Sequence, residues 1–122
     1  MAGTIVADTI QDGAGNSTAM DNAIYGSAKA WLNYNGSTTT IRASYKVSSV
    51  TRNSAGNYTV NMTTALSDTN YVVNVTADSA SSGYIGTFNG NVTKTTSVFG
   101  VTSYNVSGSG SDTATINVSV FR

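Results

Sequence analysis

Cysteine, histidine, proline and glutamate are all absent from this 122-residue chain. Each absence removes a class of chemistry. Without cysteine there are no disulfides and no thiolate metal sites. Without histidine or cysteine, no Ser/His or Cys/His nucleophile system can be assembled, and zinc loses its usual ligands. General acid–base work is left to aspartate, lysine and tyrosine. Charge is scarce as well: six Lys/Arg balance six acidic residues, for a formal net charge of zero. A nucleic-acid surface needs excess positive charge to displace counterions, and a polybasic membrane patch needs the same. Neither nucleic acid nor membrane insertion is therefore expected, and no cofactor is implied. No apolar run approaches the roughly 20 residues of a transmembrane helix. The opening Met1-Ala2-Gly3-Thr4 does not read as a basic-then-apolar signal peptide, so folding in the cytosol is expected.

What is present is equally one-sided. Nineteen Thr, 17 Ser, 13 Asn and 12 Gly make up half of the chain, and Val, Ile and Thr number 38 against two Leu. β-Branched side chains suit a pleated strand and lose rotamer freedom in a helix. The straight-chain helix formers are nearly missing. The length suits one domain with one modest core. Polar low-complexity sequence also permits disorder, but here the apolar residues alternate regularly, which favours strands.

The following segments read as strands. The first is Thr4–Ile10, apolar on both sides at Ile5 and Val6. A turn-rich stretch, Asp12–Thr18, follows, and residues 19–30 fit a short helical turn or an extended linker. Ala30–Tyr34 is a short strand ended by Asn35-Gly36. Ile41, Ala43, Tyr45 and Val47 then alternate with Arg42, Ser44, Lys46 and Ser48, giving one apolar and one wet face. A phase slip at Ser48-Ser49 predicts a β-bulge. The turn Asn53–Asn57 leads into Tyr58, Val60 and Met62, completing a hairpin. Tyr71, Val73, Val75 and Ala77 continue the alternation, followed by Tyr84–Phe88 and by 91–104, interrupted near Gly100. The last strand carries Ala114, Ile116, Val118 and Val120 on one face. The expected fold is an antiparallel β-sandwich of about seven or more short strands with an extended N-terminal segment. The predicted core is Ile41, Tyr45, Val47, Tyr58, Val60, Tyr71, Val73, Val75, Ile116 and Val118, with Trp31 in the core or a subunit interface.

Few residues offer chemistry. Asp8, Asp12, Asp21, Asp68, Asp78 and Asp112 are scattered, mostly in turn contexts where Asp caps its own backbone. Asp12–Asn16 superficially resembles a cation loop but reads as a plain turn, since calcium needs several carboxylates together. A spatially paired Asp couple for glycoside cleavage remains open. Asn74, Asn91, Asn105 and Asn117 each begin a glycosylation sequon, read here as polar-Val-polar strand alternation. No catalytic or metal residue is assigned. The remaining handle is aromatic. Tyr84 and Phe88 flank glycines near loops, fit either the core or the surface, and are the candidate receptor contacts, on a recognition surface placed at loops 78–90. No charge cluster competes for that role, so binding is expected to depend little on salt.

Three segments carry a family likeness: Ala28–Gly36 (AKAWLNYNG), Ile41–Val50 (IRASYKVSSV), and Gly56–Ala65 (GNYTVNMTTA) with Asn70-Tyr71. Together they resemble the distal domain of tail-fibre and related fibre proteins of tailed bacteriophages, including marine and cyanobacterial ones, over roughly residues 28–75. The opening, Gly3–Gln11, is similar to segments that lead into such domains. The resemblance implies a homotrimeric, non-enzymatic virion protein assembled in the host cytoplasm: a tail fibre, head fibre or capsid decoration. Its partners would be other virion proteins and a host surface glycan or receptor. Fibre chains are usually long, whereas this one leaves no room for a stalk. Residues 1–27 are therefore expected to serve attachment or trimerisation, with Ile5, Val6 and Ile10 at the interface, and 28–122 to form the β-sandwich domain. Two rival readings stay open: a stand-alone carbohydrate-binding module and an Asp-dependent glycan hydrolase.

Overall fold

Where the apolar alternation is strictest, the chain forms ladders. The computed structural model describes residues 3–78 and 83–122. Its elements, in chain order, are β1 (Thr9–Gln11), β2 (Ser17–Ala19), α1 (Met20–Gly26), β3 (Ala30–Tyr34), β4 (Ile41–Tyr45), β5 (Val47–Ser54), β6 (Asn57–Met62), β7 (Val72–Asp78), β8 (Ile85–Asn89), β9 (Val98–Tyr104) and β10 (Thr115–Phe121). β1 and β2 form a separate antiparallel pair. The other eight strands make two four-stranded sheets, in the order β4-β3-β10-β7 (sheet one) and β5-β6-β9-β8 (sheet two). All the pairings are antiparallel. The two sheets bury one core between them, so the expected all-β sandwich is what the chain forms.

Side-chain alternation sets the core directly. Ala30, Leu32 and Tyr34 from β3 and Ile116, Val118 and Val120 from β10 face Tyr58, Val60 and Met62 from β6 and Phe99 and Val101 from β9. Tyr71 completes the cluster, with Ile41, Val47, Val50, Val73 and Val75 half-buried against it. Tyr34 and Tyr58 meet edge-to-face at a centroid distance of 5.4 Å, a favoured aromatic geometry. The bulge expected at Ser48-Ser49 is present: Val47 pairs with Met62 and Ser49 with Asn61, leaving Ser48 unpaired. The extra residue keeps both Val47 and Val50 on the core side although they are three apart.

Several expectations are corrected. Tyr45 was expected in the core and is instead exposed on the outer side of sheet one, opposite Trp31, which is exposed as well. The cause is a bulge at Arg42: Tyr34 pairs with Ile41 but Asn33 with Ala43. That one extra residue turns Ala43 and Tyr45 outward while Ile41 stays inward. Lys46 then adopts a left-handed conformation (φ 55°) where the chain leaves sheet one for sheet two. The first strand is shorter than expected, since the ladder covers only Thr9–Gln11 and residues 3–8 are exposed without strand pairing. Strand β9 runs unbroken through Gly100, where a Cβ would come within 2.6 Å of the Asn89 carbonyl oxygen and 2.8 Å of Val92 Cβ. That glycine admits the crossing of the β8–β9 connection and does not end the strand. Ala114 precedes β10 and is exposed.

Candidate binding surfaces

The outer side of sheet one is ordered by register. Antiparallel pairing sets Tyr45 beside Trp31, Trp31 beside Ser119, and Ser119 beside Asn74. The parallel row, two residues along each strand, is Ala43, Asn33, Asn117 and Thr76. Rows two residues apart lie about 6.5 Å from each other. The second row is hydrogen-bonded across the sheet in one direction. Arg42 Nη1 donates to Asn33 Oδ1 (3.4 Å), Asn33 Nδ2 to Asn117 Oδ1 (2.5 Å), and Asn117 Nδ2 to Thr76 Oγ1 (3.4 Å). Arg42 Nη2 is fixed further by the Ala114 carbonyl at 2.6 Å. A shallow depression of about 130 Å³ lies among Asn74, Thr76, Asn117 and Ser119. The face thus presents an aromatic side and an amide and hydroxyl side whose dipoles are already oriented.

Beside the aromatic pair, three of the six cations come together. Lys29, Lys46 and Arg122 line a pocket of about 260 Å³ with Thr64, Ala65, Leu66 and Ser67. Lys29 immediately precedes β3, with its backbone amide on the Val120 carbonyl at 2.7 Å and its ammonium on the Ile24 carbonyl. Arg122 forms a two-pronged ion pair with Asp68, using Nε (2.9 Å) and Nη2 (2.6 Å). That pair lowers the Asp68 carboxyl from its ordinary range and raises the guanidinium. The Lys46 ammonium lies 5.3 Å from the Tyr45 ring centroid and bonds to no acceptor among the described residues. This cluster is invisible to local sequence patterns because Lys29, Lys46 and Arg122 are separated along the chain. The expectation that no charge cluster exists is corrected here.

Tyr84 and Phe88 are not brought together. They sit at opposite ends of β8, Tyr84 half-buried with its hydroxyl 3.4 Å from Ser111 Oγ, and Phe88 38% exposed. Gly86 between them faces sheet one, since a Cβ there would come within 2.7 Å of Val75 Cγ1. By strand alternation Tyr84 and Phe88 share that side. Lys94 lies over both the Tyr71 ring (4.5 Å) and the Phe88 ring (5.6 Å). Residues 79–82, the centre of the loop on which recognition was expected, lie outside the described residues.

The N-terminal arm differs from the sandwich. Residues 3–19 are exposed throughout and α1 has no buried residue. Ile5, Val6 and Ile10 are 85%, 94% and 45% exposed, and Ile24 and Tyr25 of α1 are exposed as well. Ile5, Ile10, Met20 and Ile24 rim an open groove of about 630 Å³.

A polar cluster closes the end of the sandwich near Tyr34. Asp112 accepts bonds from Gly56 N (2.8 Å), Tyr58 Oη (2.7 Å) and Arg52 Nε (3.0 Å). Arg52 above all holds its carboxyl down at about 2. Burial, above all, raises the Tyr34 and Tyr58 phenols, and Tyr34 Oη has no partner among the described residues. Asp12, like Asp112, is occupied, accepting from Ala14 N, Asn16 N and Asn16 Nδ2 at 2.9 Å each, which is the plain turn expected. Among the described residues no group of three or more potential metal-binding side chains occurs. No protein-family model, curated protein or solved structure matches the chain.

Proposed function

We propose that this chain is a non-catalytic structural module of a tailed-bacteriophage particle: a homotrimeric tail fibre, head fibre or capsid decoration that also contacts the host surface. The observation that carries the reading is the division of apolar surface. Residues 28–122 bury their own core, whereas the arm leaves Ile5, Val6, Ile10, Ile24 and Tyr25 in water. Contiguous apolar surface of that kind marks an interaction site. An arm of this design is covered by assembly, either by the arms of two further copies or by another particle protein. The fibre-like segments support the same reading, since Ala28–Gly36, Ile41–Val50 and Gly56–Ala65 fall on β3, β4, β5 and β6 of the sandwich, while the opening Gly3–Gln11, similar to segments that lead into such domains, lies on the arm. The test is mass spectrometry of purified particles from cells supplying either the full chain or a chain lacking 1–27. The full chain is expected in particles and the truncated chain in the lysate; equal incorporation of both would overturn the proposal.

The second reading is a stand-alone carbohydrate-binding module, favoured by the Trp31–Tyr45 pair on an amide-rich face. It requires a monomer of 12.5 kDa that is absent from particles.

A further inference from the structure

We propose that the pocket of Lys29, Lys46 and Arg122, together with the adjoining Trp31 and Tyr45, is a binding site for a sugar that carries an anionic group. This inference rests on the adhesive part of the function proposed above and not on how the chain is mounted. Ligand binding in solution and incorporation into particles therefore fail separately.

Three observations converge. The first is charge. The side chains as a whole are neutral, yet three cationic side chains line this pocket and one carboxylate side chain, Asp68, offsets Arg122, an excess of two in side-chain charge. Such an excess around a cleft selects an anion. Lys46 has no acceptor among the described residues, so its donors are free for one. The second is size. At about 260 Å³ the pocket is smaller than the roughly 300–1,000 Å³ that enclose a drug-sized ligand. It holds a carboxylate, phosphate or sulfate, and the remainder of the ligand must lie outside. The third is what lies immediately outside. Tyr45 adjoins Lys46, and Trp31 stands opposite Tyr45 in the ladder, both exposed. Large, stiff aromatic side chains with a polar tip offer the apolar C–H face of a sugar ring a stacking surface. Beyond them the oriented Asn33–Asn117–Thr76 row offers donors and acceptors to hydroxyls. An anion alone would use only the pocket, and a neutral sugar only the face. A charged sugar uses both.

The backbone at Lys46 supplies a discriminating variant. Lys46 occupies a left-handed conformation, which costs a non-glycine residue about 1–2 kcal/mol. Lys46→Gly relieves that strain while removing the free cation. A loss of binding in this variant cannot be ascribed to failure to fold.

The experiment is an NMR titration of the full chain with four probes: glucuronate, glucose 6-phosphate, glucose and inorganic phosphate. The single Trp31 indole N–H and the backbone amides of 29, 46 and 64–67 are the reporters. Glucuronate or glucose 6-phosphate is expected to move the indole and the pocket amides together, and the stronger of the two identifies the anion. Lys46→Gly should weaken that ligand about tenfold with its melting temperature held or raised, and Trp31→Ala should weaken it comparably. Phosphate moving the pocket as strongly, with the indole still, would reduce the site to a bare anion pocket. Glucose binding as tightly as its charged relatives would make it a neutral-sugar face. No shift with any probe would show that no such site exists. Each of these three results overturns the inference.

Discussion

Asp112 Oδ1 accepts the Tyr58 hydroxyl at 2.7 Å and, on the same oxygen, the Gly56 amide at 2.8 Å. A residue of the 105–114 connection thereby ties the buried end of β6 to the β5–β6 turn. Arg52 closes the cluster from β5 with an ion pair at 2.8 Å. That ion pair is partly exposed and contributes less than about 1 kcal/mol. The hydrogen bonds carry more, because losing the acceptor strands buried donors at roughly 1–3 kcal/mol.

Asp112→Ala, which removes the acceptor altogether, should therefore lower stability by about 1–3 kcal/mol in urea unfolding at neutral pH. The pH dependence is a second readout. The folded carboxyl titrates at about 2, below its ordinary 3.8. A depressed group stabilises fully above its unfolded value and loses that contribution as pH falls through the folded one. The melting temperature of the parent chain should fall between about pH 4 and pH 2. The variant should show a shallower fall, with the residue due to Asp12 and Asp68, which are also lowered. An unchanged slope would remove Asp112 from this role.

Val60→Asp places an unpaired charge at a fully buried position between the sheets and should cost about 3 kcal/mol or more. Tyr45→Ser, on the outer side, should stay within about 1 kcal/mol of the parent. Thermal melts by circular dichroism compare the two. A large loss at Tyr45 would place β4 in the opposite phase.

Gly86→Val tests the approach of β8 to β7. Its Cβ would meet Val75 Cγ1 at 2.7 Å and Ala77 N at 3.0 Å, and backbone on that side cannot give way cheaply. Overpacking of this kind costs about 1–3 kcal/mol. Gly90→Val has open space and serves as the control. Equal melting temperatures for both would mean that the two edge strands stand further apart.

Replacing Ile5, Val6 and Ile10 together by Ser should leave the melting transition of the sandwich unchanged, because none of the three is buried. Sedimentation should report the other effect. The parent is expected to run as a trimer and the triple variant as a species of 12.5 kDa. A parent that already sediments at that mass would show that the arm does not assemble copies of this chain.

The strand alternation in the sequence was enough to place Tyr58, Val60 and Met62 on one side of β6 and Ile116, Val118 and Val120 on one side of β10. In these central strands a neighbour lies on either side, so the period of two survives intact. The slip at Ser48 was legible for the same reason: it breaks a pattern that is strong on both sides. The absence of histidine and cysteine settled the excluded chemistries without any structure. Tyr45 could not be placed, because the bulge at Arg42 leaves the Ile41–Val47 alternation looking continuous while reversing which residues point inward. Gly100 read as a break because a strand glycine and a turn glycine look alike until Asn89 and Val92 are seen crossing it. The Lys29–Lys46–Arg122 pocket and the Trp31–Tyr45 pair belong wholly to the tertiary structure. Strand register and the packing of one sheet on another bring distant positions together, and local periodicity carries no information about which ones.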